Sequence, residues 1–239
     1  MTTSTAKAPA RQAYLAGVRD GLPFVFVVIP FSLLFGVVAT DAGLSLAQAM
    51  GFTVLVIAGA AQFAAVQMMM EDAAFALVLL AALAVNLRMA MYSASLVPYI
   101  GAAPLWQRAL VAYLNFDQTY LTSVTKYEHQ PNMTVSERVQ YFLGVATPIT
   151  PLWYIMTLVG IYAGTAIPDA WALDFILPIT FLAMVAPMLK SPAHVAAAAV
   201  SIIVALLLIG LPSGTGLLIA AFAAMVTGAT VETWLEKRA

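Results

Sequence analysis

The chain has 239 residues, 63% of them hydrophobic and 9% charged, and a mean hydropathy of +0.95. Soluble domains are about 45–50% apolar and about 25% charged, so this chain has too little polar surface to cover itself in water and its solvent is lipid. A net charge of −1 with ten Lys and Arg gives no basic face for nucleic acid, and zero cysteines exclude disulfides, thiolate nucleophiles and thiolate metal sites.

Residues 1–21 are small and polar, carry Lys7, Arg11 and Arg19, and read as a cytoplasmic N-terminal segment. The apolar run from Leu22 to Ala39 exceeds a signal-peptide core, and no small-residue cleavage pattern follows it. It reads as the first spanning helix, kept in the mature protein. A span needs about 20 apolar residues. That ruler gives eight candidates, at about 22–40, 47–70, 73–99, 104–125, 138–165, 171–189, 192–210 and 213–233. The expectation is an all-α polytopic integral membrane protein of about eight transmembrane helices. It has a single transmembrane domain over 22–233 and a cytoplasmic tail over 234–239.

The fourth candidate is interrupted by Asn115, Asp117, Gln118 and Thr119, and the distribution of Lys and Arg argues that it nevertheless crosses. Cytoplasmic loops carry the excess of these residues. With eight spans and a cytoplasmic start, Lys7, Arg11, Arg19, Lys126, Arg138, Lys190, Lys237 and Arg238 fall inside. Arg108 alone falls outside, and Arg88 is intramembrane. Deleting the fourth span moves five of the eight outside. Both termini are therefore expected in the cytoplasm.

Phe35-Gly36-Val37-Val38-Ala39 resembles Val159-Gly160-Ile161-Tyr162-Ala163, and spans 1–3 and 5–7 follow similar length patterns. The pattern suggests a parallel repeat about an axis along the membrane normal. Gly17-xxx-Gly21 and Gly160-xxx-Gly164 suit close helix packing. Several spans contain proline, and Pro98, Pro178 and Pro187, which keep company with polar residues, mark the expected Pro-broken helices.

The chemistry gathers in the third and fourth segments. Arg88 lies deep in an apolar run, where an arginine costs roughly 2.5–3.5 kcal/mol on insertion scales. At helical spacing Tyr92, Ser95 and Tyr99 share its stripe, and Asn86 and Ser93 share the adjacent one. This ribbon has two readings: a surface that holds a substrate carboxylate in the guanidinium fork, or a structural arginine tied to backbone carbonyls or to Asp117. Asp117, between Asn115 and Gln118, is open in the same way. It could bind an ammonium, relay a proton or neutralise Arg88. Gln62, in Gly59-Ala60-Ala61-Gln62-Phe63, is an amide at membrane depth that close packing of small residues does not by itself explain.

Together these blocks resemble the AzlC family, the large subunits of branched-chain amino-acid exporters. The resemblance is carried by Gly17-Val18-Arg19-Asp20-Gly21 leading into Pro23, Phe35-Gly36, Gly59-Ala60-Ala61-Gln62-Phe63, Asn86-Leu87-Arg88, Tyr92-Ser93-Ala94-Ser95 and Leu211-Pro212-Ser213-Gly214. It implies export of hydrophobic amino acids coupled to the proton gradient, across a bacterial-type inner membrane and with a small AzlD-like membrane subunit as partner. Two positions depart from the expected pattern: Asn115-Phe116-Asp117-Gln118 retains only one acid, and Met89 stands where the family leads one to expect His.

On this reading Arg88 and nearby hydroxyls (Tyr92, Ser93, Ser95) hold a carboxylate, Asp117 meets the ammonium or carries a proton, and Gln62, Asn86, Asn115 and Gln118 complete the path. An intramembrane enzyme is the least favoured alternative: both histidines fall in expected loops and no His-Glu-x-x-His occurs. No catalytic residue, metal or cofactor is expected. A non-transporting assembly subunit, in which Arg88 and Asp117 only pair for stability, is the other alternative.

Overall fold

The structure is a computed structural model and describes residues 7–166, 189, 191–211 and 215–237. Every regular element among these residues is helical. In chain order they are α1 (Lys7–Gly21), a 3-10 turn (Leu22–Phe24), α2 (Val25–Asp41), α3 (Leu46–Leu55), α4 (Gly59–Met70), α5 (Phe75–Ile100), α6 (Leu105–Tyr113), α7 (Asp117–His129) and α8 (Val135–Ala166), then α9 (Pro192–Leu207) and α10 (Thr215–Glu236). Their contacts divide the chain into two compact units, Met1–Ala64 with Ala82–Ala166, and Ala65–Ala81 with Ile167–Ala239.

In the first unit α1 and α2 lie along α8, and glycine explains how. A Cβ on Gly36 would strike the Thr157 carbonyl oxygen, and a Cβ on Gly160 would strike that of Leu33. Gly17 and Gly144 repeat the relation, one against the Tyr141 carbonyl and the other against that of Tyr14. Gly21 meets Val145 and Pro148, and Gly164 meets Val37 and Thr40. Rising numbers on one helix meet rising numbers on the other, so α2 and α8 run in the same direction. The two sequences that resemble one another, around Gly36 and Gly160, are the ones in contact. Backbones this close bring Cα–H groups onto carbonyl oxygens and favour dispersion, the forces left to drive association where the solvent is itself apolar.

Three described segments are long and apolar enough to cross a membrane: Pro9–Asp41, Phe75–Ile100 and Val135–Gly164. The second and fourth candidate spans are each broken in two, and both breaks reverse the chain. α3 runs in from the Asp41 end, bringing Phe52 to Phe35 and Thr53 to Thr157 and Trp153. After Val56–Ala58, α4 starts back alongside α2, with Gly59 against the Phe31 ring and Phe63 against Phe31 and Phe35.

The α6–α7 segment does the same from the opposite face. Arg88, Tyr92, Ser95 and Tyr99 meet Asp117, Tyr120 and Tyr127 in rising order, so α7 runs parallel to α5. Because α6 follows α5 and α7 returns along it, this segment is a re-entrant hairpin. The expectation that it crosses is corrected.

One physical reason covers both corrections. Hydropathy measures apolar length, and about 24 apolar residues look alike whether they continue or fold back. Non-helical backbone at this depth persists only where protein receives its polar groups. Thr119 does this at the second tip: its hydroxyl is within bonding distance of the Phe116 N–H (3.0 Å) and of the Leu114 carbonyl (2.8 Å). Tyr113 Oη donates to the Val54 carbonyl at the first tip (2.7 Å).

The hairpin geometry also returns Arg108 to the face that holds Lys126 and Arg138, so it is not the exception that eight spans made it. Neither break contains proline. Pro98 lies inside α5 without breaking it, while Pro30, Pro148 and Pro151 lie inside α2 and α8. Pro178, Pro187 and nearly all of the sixth candidate span lie outside the described residues.

In the second unit α9 and α10 pack together, with Gly228 facing Ala197. Ser191 caps α9 by accepting from the His194 N–H (3.2 Å). His129 and His194 lie at helix ends rather than in loops.

Candidate functional site

Arg88 stands near the middle of α5, twelve residues (about 18 Å at helical rise) before Ile100. The first turn of α7 is brought to it by the reversal at Leu114–Phe116. Arg88 Nη1 lies 2.8 Å from Asp117 Oδ2. The other carboxylate oxygen accepts from Tyr92 Oη at 3.0 Å. Asn115 Nδ2 donates to Ser93 Oγ (3.2 Å), and Tyr120 Oη donates to Ser95 Oγ (2.9 Å). The Tyr92 and Tyr120 rings stack at 4.0 Å between centroids. The polar ribbon read from the sequence is thus a seam that fastens the hairpin to α5.

The seam is incompletely satisfied and partly open. The side chains of Arg88 and Asp117 are 28% and 43% exposed. Arg88 Nε, Asn86 Oδ1 and Asn115 Oδ1 are buried without hydrogen-bond partners among the described residues. Leaving a buried polar atom unpaired costs about 1–3 kcal/mol, so several such atoms on one short stretch of α5 and the α7 tip call for a reason.

Of the expected site residues, the structure joins Arg88, Tyr92, Ser93 and Ser95 to Asn115, Asp117 and their neighbour Tyr120. Asn86 lies on α5 about half a turn before Arg88. Gln118 is half-buried in the first turn of α7, outside the bonded set. Gln62 is fully buried in α4, and neither end of its amide has a partner among the described residues.

Sequence reasoning missed Tyr120, Thr119 and Tyr113. Tyr113 Oη also bonds Tyr154 Oη at 2.7 Å. The signal was present: Tyr113 and Tyr120 lie four residues before and three after Asp117, spacings that only a helix break between them brings to opposite arms of one hairpin.

Three long apolar segments, and a polar hairpin fastened to one of them by an ion pair, mark an integral membrane protein. The chain belongs to the AzlC protein family, whose match covers residues 23–167. It is 27% identical over 181 residues to the inner membrane protein YgaZ of Escherichia coli K12, covering 73% of each chain. It is also 29% identical over 193 residues to a membrane protein of Archaeoglobus fulgidus, covering 76% of this chain and 78% of that one. No solved structure matches. Family membership gives the chain a membrane, transport-related role.

Proposed function

We propose that the chain is the large subunit of an exporter for branched-chain or other hydrophobic amino acids, coupled to the proton gradient. Arg88 and the hydroxyls of Tyr92, Ser93 and Ser95 hold the carboxylate. Asp117 meets the ammonium or carries the proton, and Asn86, Asn115, Gln62 and Gln118 complete the path. The observation that carries this reading is the half-exposed Arg88–Asp117 pair, held at mid-depth by a helix that reverses there.

The protein sits in the inner (cell) membrane as a single transmembrane domain over 22–233, with both termini cytoplasmic and a small AzlD-like subunit beside it. Support for the orientation of the first unit is that Arg11, Arg19, Arg108, Lys126 and Arg138 gather on one of its faces, as the charge rule asks of a cytoplasmic face. Support for a parallel repeat of spans 1–3 and 5–7 is the reciprocal contact of Gly36 and Gly160. The test is retention of labelled leucine by cells expressing wild-type and Arg88→Ala chains equally. The variant is expected to export less, and equal efflux overturns the assignment.

One observation favours a second reading. Most polar side chains along this part of α5 are paired with α7, which is what an assembly subunit needs merely to hold its hairpin. Exchanging the two residues (Arg88→Asp with Asp117→Arg) separates the readings. Rescue of folding and flux together supports the plain fastening, and rescue of folding alone supports a substrate role.

A further inference from the structure

Arg88 and Asp117 are the charge-inverse of an amino-acid zwitterion, and the unpaired atoms beside them have matching chemistry. Arg88 meets Asp117 through Nη1 alone, while Nε is an unpaired donor suited to one oxygen of a second carboxylate. On the hairpin tip, two residues before Asp117, the Asn115 carbonyl oxygen is an unpaired acceptor, of the kind an ammonium seeks. One free donor on the cation and one free acceptor two residues from the anion suit a ligand carrying both charges on adjacent groups.

We propose that an α-amino acid binds by splitting this ion pair: its carboxylate replaces Asp117 on Arg88 and its ammonium replaces Arg88 on Asp117. The inference rests on the transport reading above and adds what the site demands of its substrate and how a proton acts on it. With a zwitterion, each protein charge is paired before and after binding. A bare carboxylate strands Asp117 and a bare amine strands Arg88, each leaving a charge uncompensated at membrane depth. A proton on Asp117 removes the ammonium's partner, so proton and amino acid exclude one another, the linkage of an exchanger rather than a cotransporter.

The groups around Asp117 fit this linkage. Arg88 and Tyr92 face it from α5, with Tyr120 stacked on Tyr92 from α7. From α6, Tyr113 is engaged with Val54 and Tyr154, and Arg108 lies toward the other end. α8 brings Glu137, Arg138 and Tyr141, and α1 brings Asp20, to the far end of α7, where Asp20 lies 4.0 Å from Lys126. Among the described residues the charged partner of Asp117 is therefore Arg88.

The test is binding to the purified full chain in lipid nanodiscs, with L-leucine and its two half-ligands, 4-methylpentanoate and 3-methylbutylamine. Leucine is expected to bind about tenfold or more tightly than either half-ligand, and more weakly on acidification. Equal binding of 4-methylpentanoate and leucine, or leucine affinity that rises with acid, overturns the proposal. The Asp117→Asn chain provides a gain-of-binding check. With Arg88 released, 4-methylpentanoate should bind about tenfold more tightly than to wild type, and unchanged affinity counts against the template. Failure of leucine, isoleucine and valine all to bind overturns the transport reading itself, an outcome distinct from leucine binding no better than its halves.

Discussion

The first unit has two seams that close by opposite means. Where α1 and α2 meet α8, side chains are missing: Gly17, Gly36, Gly144 and Gly160 set backbone against backbone. Where α5 meets α7, polar side chains make the join, through Arg88–Asp117, Tyr92–Asp117, Ser93–Asn115 and Ser95–Tyr120. A contact made by absent atoms accepts no substitute. A charge or hydroxyl exchanges its partner for any group of like chemistry. The glycine seam is therefore a frame, and the polar seam is a joint, the one at which the proposed substrate would act.

Substitutions can break this comparison, and the largest effect is expected at the frame. Gly36→Leu or Gly160→Val forces a side chain into a helix backbone that cannot yield, at a cost of about 3 kcal/mol or more. Thermal unfolding in detergent should show the loss, with flux falling in step. An unshifted transition would mean that the helices do not touch there.

Arg88→Ala comes next. Its pair is partly exposed, so the expected loss lies between the values for surface and buried pairs, about 1–3 kcal/mol. The joint reading requires leucine efflux to fall further than stability does. Tyr113→Phe leaves the Val54 carbonyl without its donor at mid-depth and should cost about 1–2 kcal/mol. It fastens one hairpin tip to the other, and its effect is read from the unfolding midpoint.

The smallest change is expected far from both seams. At the start of α8, Thr134 and Glu137 form a reciprocal cap: Thr134 N–H donates to Glu137 Oε2 at 2.7 Å, and Glu137 N–H donates to Thr134 Oγ1 at 3.3 Å. Glu137→Ala should cost about 0.5–1 kcal/mol and leave efflux unchanged. A transport defect in that variant would show that the two seams are not the parts that matter.

Much of this was legible from residues alone. Lipid as solvent followed from composition, and the gaps between the first four candidate spans, at 41–46, 71–72 and 100–103, fall at helix ends as expected. The stripe of Arg88, Tyr92, Ser95 and Tyr99 does share one face, and Asp117 is the anion it meets. What stayed hidden was direction. Val56-Ile57-Ala58 and Leu114-Asn115-Phe116 contain neither proline nor glycine, so the usual punctuation of a reversal is absent. The reversals are stabilised from a distance, by Tyr113 on the Val54 carbonyl and by the close fit of Gly59 under the Phe31 ring. Such contacts have no local signature. Proline misled for the complementary reason: α5 runs straight through Pro98.

A second arginine fixes the far end of the joint. Arg138 lies over the rings of Tyr99 and Tyr127, at 5.5 Å and 5.8 Å, and its guanidinium donates to the carbonyls of Tyr99 and Pro131. Tyr127 Oη returns a bond to the Arg138 carbonyl. The end of α5, the end of α7 and the start of α8 are thus pinned at one point, about 15 Å along α7 from Asp117. If a ligand freed the Asp117 end, as proposed, a heel fixed there would make α7 swing rather than slide. A small rotation at Arg138 would then become, over that radius, a displacement of several ångströms at the tip, like a door hung on a single hinge.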